Sequence, residues 1–143
     1  MDGQQFFSDA KITFVSALTT AGTSDVEYTA LAMEGFEDVT FITSIGTAAA
    51  GNYLKAQGSD LSGSSFADIA GSKTQNDTDL KLVLDIHETS PGHKYVRPVV
   101  IRGTSTTVGE VWAIQRRAKL KPPTNNTGGL FVKQLIYSVE GTA

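Results

Sequence analysis

The chain has 143 residues, of which 40% are apolar and 19% charged, values typical of one folded globular domain and not of a disordered chain. It has no cysteine, which excludes disulfides and thiolate metal sites, and no apolar run approaches the roughly 20 residues of a membrane helix. The net charge of −3 argues against nucleic acid as the main partner, and we expect no membrane partner either.

The charges are distributed unevenly along the chain. Residues 1–93 carry 4 basic and 13 acidic side chains, whereas residues 94–143 carry 8 basic and 2 acidic ones. Two interpretations stay open. Either the fold intermixes the two parts and the asymmetry cancels, or the molecule presents a basic edge to an acidic partner or to another copy of itself.

The chain begins with a predicted flexible arm over residues 1–10, in which Phe6 and Phe7 are candidate anchors. The sequence MDGQQFFSDAK lacks the basic and apolar regions of a signal peptide, so synthesis in the cytoplasm is expected.

Short strands follow the arm, because apolar and β-branched residues alternate between turns rich in Gly, Ser and Thr. The predicted strands of this part are KITFVSALTT at 11–20, a short strand at 26–32, DVTFITSI at 38–45 and NYLKAQ at 52–57. The next 22 residues, 58–79, form a long polar connection in which Phe66, Ile69 and Ala70 are expected to hold a short element on the core.

Residues 80–117 carry the strongest strand signal, with three predicted strands in succession. In the first, Leu80, Leu82, Leu84 and Ile86 share one face, since side chains alternate across a strand. About eight strands with almost no helical periodicity predict an all-β fold. We expect a single-domain β-sandwich of jelly-roll type over residues 11–117, with extended N- and C-terminal arms.

Residues 118–143 form a Pro/Gly linker followed by a C-terminal strand or arm. Pro122-Pro123 favours extended backbone, Gly128-Gly129 is a flexible break, and LFVKQLIYSV is strand-like. This strand either closes its own sheet or crosses to a neighbouring subunit.

The sequence offers no convincing catalytic or metal-binding pattern. His87 and His93 are the only histidines, too few for a zinc site, and they are interpreted as part of a surface hairpin. The segment 76–79 lacks the glycine and distal glutamate of a calcium loop, and no G-x-S-x-G motif occurs. We therefore expect no enzyme activity and no cofactor.

One dense basic cluster remains. Its members are Arg116, Arg117, Lys119 and Lys121. It is either a solvated strand end or a contact for an acidic protein surface. Exposed aromatic residues in a row would instead indicate a carbohydrate-binding β-sandwich, but the aromatic residues of predicted strands are expected in the core; these are Tyr53, Tyr95, Trp112 and Tyr137.

Several segments together resemble a family of small proteins encoded beside the major capsid gene of tailed bacteriophages and prophages. These segments are FFSDAKI, EGFEDVTFITSIGT, YLKAQGSD, FADIAGS, DLKLVLDIHETSPGHKYVRPVVIRGT and the terminal SVEGTA. The members are described as capsid decoration or cement proteins, and the resemblance covers nearly the whole chain.

The resemblance implies a homo-oligomer, a trimer or dimer, on the outside of a capsid, where it ties major capsid subunits together. The protein would be made in the host bacterial cytoplasm and function in the virion. Under this interpretation, the expected capsid contacts are Phe6 and Phe7 of the arm and the basic cluster Arg116, Arg117, Lys119 and Lys121. The alternative within the virion is a head–tail connector or tail protein.

Overall fold

The computed structural model describes residues 6–75, 78–88 and 92–118. This part of the chain contains one helical turn and twelve strands. The turn is α1 (Phe6–Asp9), and the strands are β1 (Lys11–Ser16), β2 (Thr19–Gly22), β3 (Val26–Glu27), β4 (Leu31–Ala32), β5 (Asp38–Ser44), β6 (Asn52–Ser59), β7 (Ala67–Asp68), β8 (Thr74–Gln75), β9 (Lys81–His87), β10 (Tyr95–Arg102), β11 (Thr106–Val108) and β12 (Val111–Arg116).

The strands form two main antiparallel sheets and a small two-stranded one. The four-stranded sheet has the order β1-β12-β5-β9, and the six-stranded sheet has the order β3-β10-β6-β7, with β4 beside β10 and β8 beside β6. Strands β2 and β11 pair separately. The predicted all-β class is confirmed, whereas the jelly-roll connectivity stays a prediction.

The core lies between the two main sheets, as the alternation of each strand requires. Strand β9 contributes Leu82, Leu84 and Ile86, while every second residue of the strand is exposed. Phe41 of β5 and Leu54 of β6 are fully buried in the same cluster. One continuous apolar cluster therefore joins the inner faces of both sheets.

Arg102, at the end of β10, holds the small sheet and the preceding turn in place. Its guanidinium is buried and donates hydrogen bonds to three main-chain carbonyls, those of Thr20 at 2.8 Å, Ser24 at 2.6 Å and Thr106 at 3.0 Å. Gly22 lies so close that a Cβ there would be 3.1 Å from a guanidinium nitrogen. An alanine at position 22 would therefore require the guanidinium to move by a few tenths of an ångström.

The structure corrects several details of the predicted strands. The stretch 11–20 is two strands, β1 and β2, separated by Ala17 and the exposed Leu18. The segment 80–117 contains four strands, because β11 forms before β12. The predicted hairpin around His87 and His93 is wrong, since β9 pairs with β5 and β10 with β6, so the connection crosses between sheets.

The described residues include only part of the predicted N- and C-terminal arms. Residues 6–9 form a helical turn, and Ala10 is buried. The C-terminal strand predicted within 118–143 lies outside the described residues, apart from Ala118. The predicted arm boundaries and the choice between an own-sheet and an exchanged strand therefore stay predictions.

Candidate functional site

The fold brings the two predicted contact regions to one end of the four-stranded sheet. The amide of Ala118 donates to the carbonyl of Asp9 at 3.1 Å, and Lys11 of β1 lies opposite Gln115 of β12. Phe6, which is exposed, therefore shares this end with Arg117. Lys119, Lys121 and the side chain of Phe7 lie outside the described part of the chain.

The two arginines of the predicted basic cluster are paired within the chain. Arg116 forms an ion pair with Asp85. Arg117 forms one with Glu37, with Nε 2.7 Å from Oε2. A third pair, between Arg97 and Glu27, also joins the basic C-terminal part to the acidic N-terminal part. Of the two interpretations of the charge asymmetry, the intermixed one accounts for these three pairs.

Both histidines are held by carboxylates next to an open cavity of about 820 Å³. His87 Nδ1 contacts a carboxylate oxygen of Asp38. His93 Nδ1 lies 3.0 Å from Glu88, whose second oxygen accepts from the His93 amide at 2.9 Å. Such pairs fix the orientation of an imidazole ring. Among the described residues, no group of three or more His, Cys, Asp or Glu side chains is arranged to hold a metal ion.

Gly58 makes room for one of these rings. A Cβ at Gly58 would lie 2.4 Å from the ring of His93, closer than any real side-chain contact. The glycine in β6 therefore lets His93 lie flat against the strand. Together with the Glu88 contacts, this position fixes the start of β10 against the six-stranded sheet.

The most distinctive surface is the outer face of the four-stranded sheet. Strand pairing places Phe14 opposite Trp112, Trp112 opposite Ile42, and Ile42 opposite Val83. The four side chains form one line across all four strands, which we call the apolar row. Ile42 is 38% and Val83 59% exposed, while the aromatic pair is half-buried.

The aromatic pair in the apolar row is arranged edge to face. The ring centroids of Phe14 and Trp112 are 5.0 Å apart with an interplanar angle of 68°, a favourable geometry for aromatic contact. The indole nitrogen donates to Glu110 at 3.1 Å, which fixes the ring on the sheet. The prediction that Trp112 belongs to the core is wrong, because its neighbours Val111 and Ala113 occupy that side of β12.

The outer face of the six-stranded sheet is different in character. Arg97 donates to Gln57 at 2.7 Å and 3.0 Å and pairs with Glu27, while Gln57 donates in turn to Asp68 at 2.8 Å. Lys55 also pairs with Asp68 at 2.8 Å. Here each polar group satisfies another within the chain, so this face has little to gain from a partner.

Two aromatic rings near this polar face are each covered by a positively charged side chain. The Arg97 guanidinium lies 4.2 Å above Phe66, and the Lys73 ammonium lies 4.3 Å above Tyr53. These distances fit cation–π contacts. Phe66 and Ile69 do hold the 58–79 connection, Ile69 against the core, but Ala70 is exposed. The core prediction for Tyr53 is wrong, and Tyr137 lies outside the described residues.

The sequence analysis missed the apolar row. The signal was present, because β1 and β12 carry apolar residues on both parities, a pattern of strands that are covered on both faces. Finding the row also requires the register, which the sequence does not supply. In the described part of the chain, no helix is long and apolar enough to cross a membrane.

The comparisons with known proteins give a likeness in structure and none in sequence. No protein-family model matches the chain, and no curated protein is significantly similar to it in sequence. Among solved structures, it is similar to the crystal structure of the SPBc2 prophage-derived protein YomS, with 19% identity and a TM-score of 0.47. The match covers 75% of this chain and 92% of YomS. These values are too low to transfer a function.

Proposed function

We propose that this protein is a structural component of a bacteriophage virion that binds the outer surface of the capsid and stabilises it by bridging major capsid subunits. It acts as a homo-oligomer, catalyses no reaction and needs no cofactor. It is made in the host bacterial cytoplasm and functions on the capsid exterior.

The observation that carries the proposal is the exposed part of the apolar row, where Ile42 is 38% and Val83 59% exposed on the outer face of the four-stranded sheet. Exposed contiguous apolar patches mark surfaces that another protein covers. The second support is the sequence resemblance to capsid decoration proteins. A packed sandwich with one polar, self-satisfied face and one apolar face suits a protein that is held between other subunits.

The end of the sheet that carries Phe6 and Arg117 is the proposed capsid contact. Phe6 offers apolar area, and Arg117 stays 59% exposed in its side chain although it pairs with Glu37. Phe7, Lys119 and Lys121 belong to the same proposed contact through their place in the sequence. Several such modest contacts per oligomer strengthen one another, since linked sites bind at high effective concentration.

The test is binding of the purified protein to empty capsids of the phage that encodes it, measured by co-sedimentation. We expect saturable binding that Phe6→Ser combined with Arg117→Glu reduces at least about tenfold, because it removes apolar area and reverses a charge. Leu61→Ser, at an exposed leucine in the loop after β6, is the control and should bind normally. Virions without the polypeptide would refute the proposal.

A head–tail connector or tail protein is the alternative within the virion. Electron microscopy of particles that lack the protein separates the two, since the capsid role predicts fragile heads with normal tails. A tail defect with robust heads would favour the alternative.

A carbohydrate-binding module is the second candidate, favoured by the neighbouring rings of Phe14 and Trp112 on the outer face of the four-stranded sheet. Their interplanar angle of 68° does not form the flat platform on which sugar rings stack. Reproducible binding on a glycan array that Trp112→Ala abolishes would establish this function instead.

A further inference from the structure

Strand β9 lies at one edge of the four-stranded sheet, and in the described part of the chain it pairs with β5 alone. Two hydrogen bonds beside this pairing show which groups of β9 it uses. The amide of Glu88 donates to the carbonyl of Glu37 at 2.9 Å, and the amide of Ile45 donates to the carbonyl of Leu80 at 2.8 Å. Both bonds continue the register of the two strands, so the even-numbered residues of β9 are those that exchange hydrogen bonds with β5.

The odd-numbered residues of β9 direct their main-chain groups away from β5, because successive residues of an antiparallel strand bond to opposite sides. These residues are Lys81, Val83, Asp85 and His87. Their N–H and C=O groups point along the outer edge of the sheet, where no other strand of the described residues pairs with β9. Such an edge is a template for one more strand.

We propose that a second copy of this chain supplies that strand. Strand β9 of one subunit pairs antiparallel with β9 of the other about a two-fold axis at Val83, and two four-stranded sheets become one sheet of eight strands. This inference deepens the proposed function, since it names the interface of the proposed homo-oligomer. The axis is perpendicular to the sheet, so the same edge serves both subunits, as an isologous interface requires. The three central residue pairs supply about six backbone hydrogen bonds, because each pair exchanges two.

The charges of β9 favour a second copy over an unrelated strand. Lys81 lies two residues before Val83, and Asp85 lies two residues after it. The axis therefore places Lys81 opposite Asp85 of the partner subunit, and Asp85 opposite Lys81 of the partner subunit. Side chains directly opposite each other lie about 5 Å apart, so these charges attract. Charges on an edge strand discourage pairing with other chains, but here they become complementary when the partner is the same strand reversed.

The neighbouring registers are less favourable. An axis at Asp85 places two carboxylates directly opposite each other, where they repel. An axis at Leu84 places Val83 opposite Asp85 of the partner subunit, so the carboxylate meets an apolar residue. The axis at Val83 also places Leu80, which is 43% exposed, opposite Ile86 of the partner subunit. The exposed leucine before β9 thereby gains an apolar neighbour.

Both charges are available for the contact. Lys81 is exposed and makes no ion pair with any described residue. Asp85 keeps 60% of its side chain exposed, although it pairs with Arg116 and accepts from the Thr40 hydroxyl at 2.7 Å. Both of these contacts use Oδ1, so Oδ2 remains for a lysine of the partner subunit.

The length of β9 sets the expected strength. Its seven residues span about 23 Å at about 3.3 Å each, and pairing along one edge buries less than the ~1,000 Å² at which stable interfaces begin. We therefore expect a dissociation constant of about 10–100 μM in solution. On a capsid, where copies are held side by side, a high effective concentration compensates for this weak affinity.

The first test is hydrogen exchange of single amides, followed by NMR in the full chain at two concentrations. The amides of Lys81, Val83 and Asp85 should exchange about fourfold to sixfold more slowly at about 1 mM than at about 20 μM, as mass action predicts for this affinity. The amides of Leu82 and Leu84 are the internal control. They bond to β5, so their protection should not depend on the dimer in this way.

A proline variant tests the backbone pairing. The amide of Val83 points away from β5, so Val83→Pro removes no hydrogen bond between β5 and β9 but removes the central pair of the interface. We expect it to weaken dimerisation at least about tenfold in sedimentation equilibrium. Val83→Thr keeps the amide and the β-branched shape, so this matched control should dimerise within about threefold of the original chain. Far-UV circular dichroism checks that both variants are folded.

A charge exchange tests the register and does not depend on the proline variant. Lys81→Glu should weaken the dimer about threefold to tenfold at low salt and less at high salt, because two attractive pairs become repulsive. Adding Asp85→Lys to Lys81→Glu should restore affinity, since opposite charges face each other again. Lys94→Glu, which reverses an exposed charge away from β9, should leave dimerisation unchanged. A double variant that dimerises no better than Lys81→Glu alone would overturn the proposal.

The remaining outcomes separate this inference from the proposed function. A monomer whose odd-numbered β9 amides are protected at every concentration would assign the edge to the chain's own residues and overturn the inference. A monomer with unprotected amides that binds capsids would overturn the pairing and keep the capsid role. A dimer that shows the expected protection but binds no capsid would support the inference and refute the proposed function.

Discussion

Replacing Arg102 by methionine should destabilise the protein more than any surface substitution. Arg102 is 7% exposed and ties the turn after β2 and strand β11 to the end of β10. Methionine fills a similar volume but leaves the carbonyls of Thr20, Ser24 and Thr106 without this donor.

The magnitude follows from these three hydrogen bonds. A hydrogen bond from a charged donor contributes about 1.5–3 kcal/mol, and a buried polar group without a partner costs about 1–3 kcal/mol. Two of the three contacts are only partly buried, so water replaces part of the loss. We therefore expect Arg102→Met to lower the free energy of unfolding by about 3–5 kcal/mol. Lysine, which keeps the charge but has no planar fork, should cost about 2 kcal/mol.

Equilibrium urea denaturation at one fixed protein concentration, followed by Trp112 fluorescence and far-UV circular dichroism, measures the effect. Arg97→Met is the matched control, since it makes the same substitution on the same strand. The contacts of Arg97 to Glu27 and Gln57 are only partly buried, so water replaces part of them and we expect a smaller loss of about 1–2 kcal/mol. The reasoning is refuted if Arg102→Met costs no more than Arg97→Met.

Three further predictions concern single contacts. Gly58→Ala should cost about 1–3 kcal/mol in urea denaturation, because the new Cβ displaces the ring of His93; an unchanged midpoint would contradict this. Lys55 and Gln57 hold the pKa of Asp68 below its usual value, so Lys55→Met should raise that pKa in an NMR titration. Burial raises the pKa of the Tyr28 phenol above 10, an effect that Thr19 and Arg102 partly offset. Because the phenol of the unfolded chain loses its proton at lower pH, the contribution of Tyr28 to stability is complete below about pH 10 and falls above it. Tyr28→Phe should therefore reduce the loss of stability at alkaline pH. Urea midpoints measured at pH 9 and pH 11 for both proteins check this.

Strand alternation predicted the core where only one parity is apolar. In β9, Leu82, Leu84 and Ile86 were assigned to one face and are buried, while the residues between them are exposed. Leu80 was assigned to the same face but is exposed, since it precedes the strand. The alternation therefore fixes the face within a strand but does not fix the strand's ends.

The same reasoning failed where both parities are apolar. In β12, Val111 and Ala113 compete with Trp112 and Ile114 for the inner face, and Trp112 was expected inside. The inner face holds the smaller residues because it also accommodates Phe41 of the neighbouring strand β5. Which parity faces the core depends on packing across the sheet, which a single strand does not specify.

The ion pairs depend in the same way on distant parts of the chain. Arg116 and Asp85 are 31 residues apart, and Arg117 and Glu37 are 80 apart; they meet because β5 lies between β12 and β9. The sequence identified a basic cluster at 116–121, but it could not show that its first two members already have acidic partners. The number of charges that remain for a capsid is therefore smaller than the sequence indicates.

The sheet arrangement bears on why β1 and β12 have apolar residues on both parities. In a sandwich of two layers, the packing of one sheet on the other buries the inner face of each sheet. The outer face of the six-stranded sheet combines a network of charges and amides around Arg97 and Asp68 with Val99, which has the parity of Arg97 and is only 2% exposed. The outer face of the four-stranded sheet carries apolar residues at two neighbouring levels, which are the apolar row from Phe14 to Val83 and the paired Ile12 and Ile114 beside it. Ile42 and Val83 remain 38% and 59% exposed on this face, and adjoining exposed apolar residues are typical of a surface that contacts another protein.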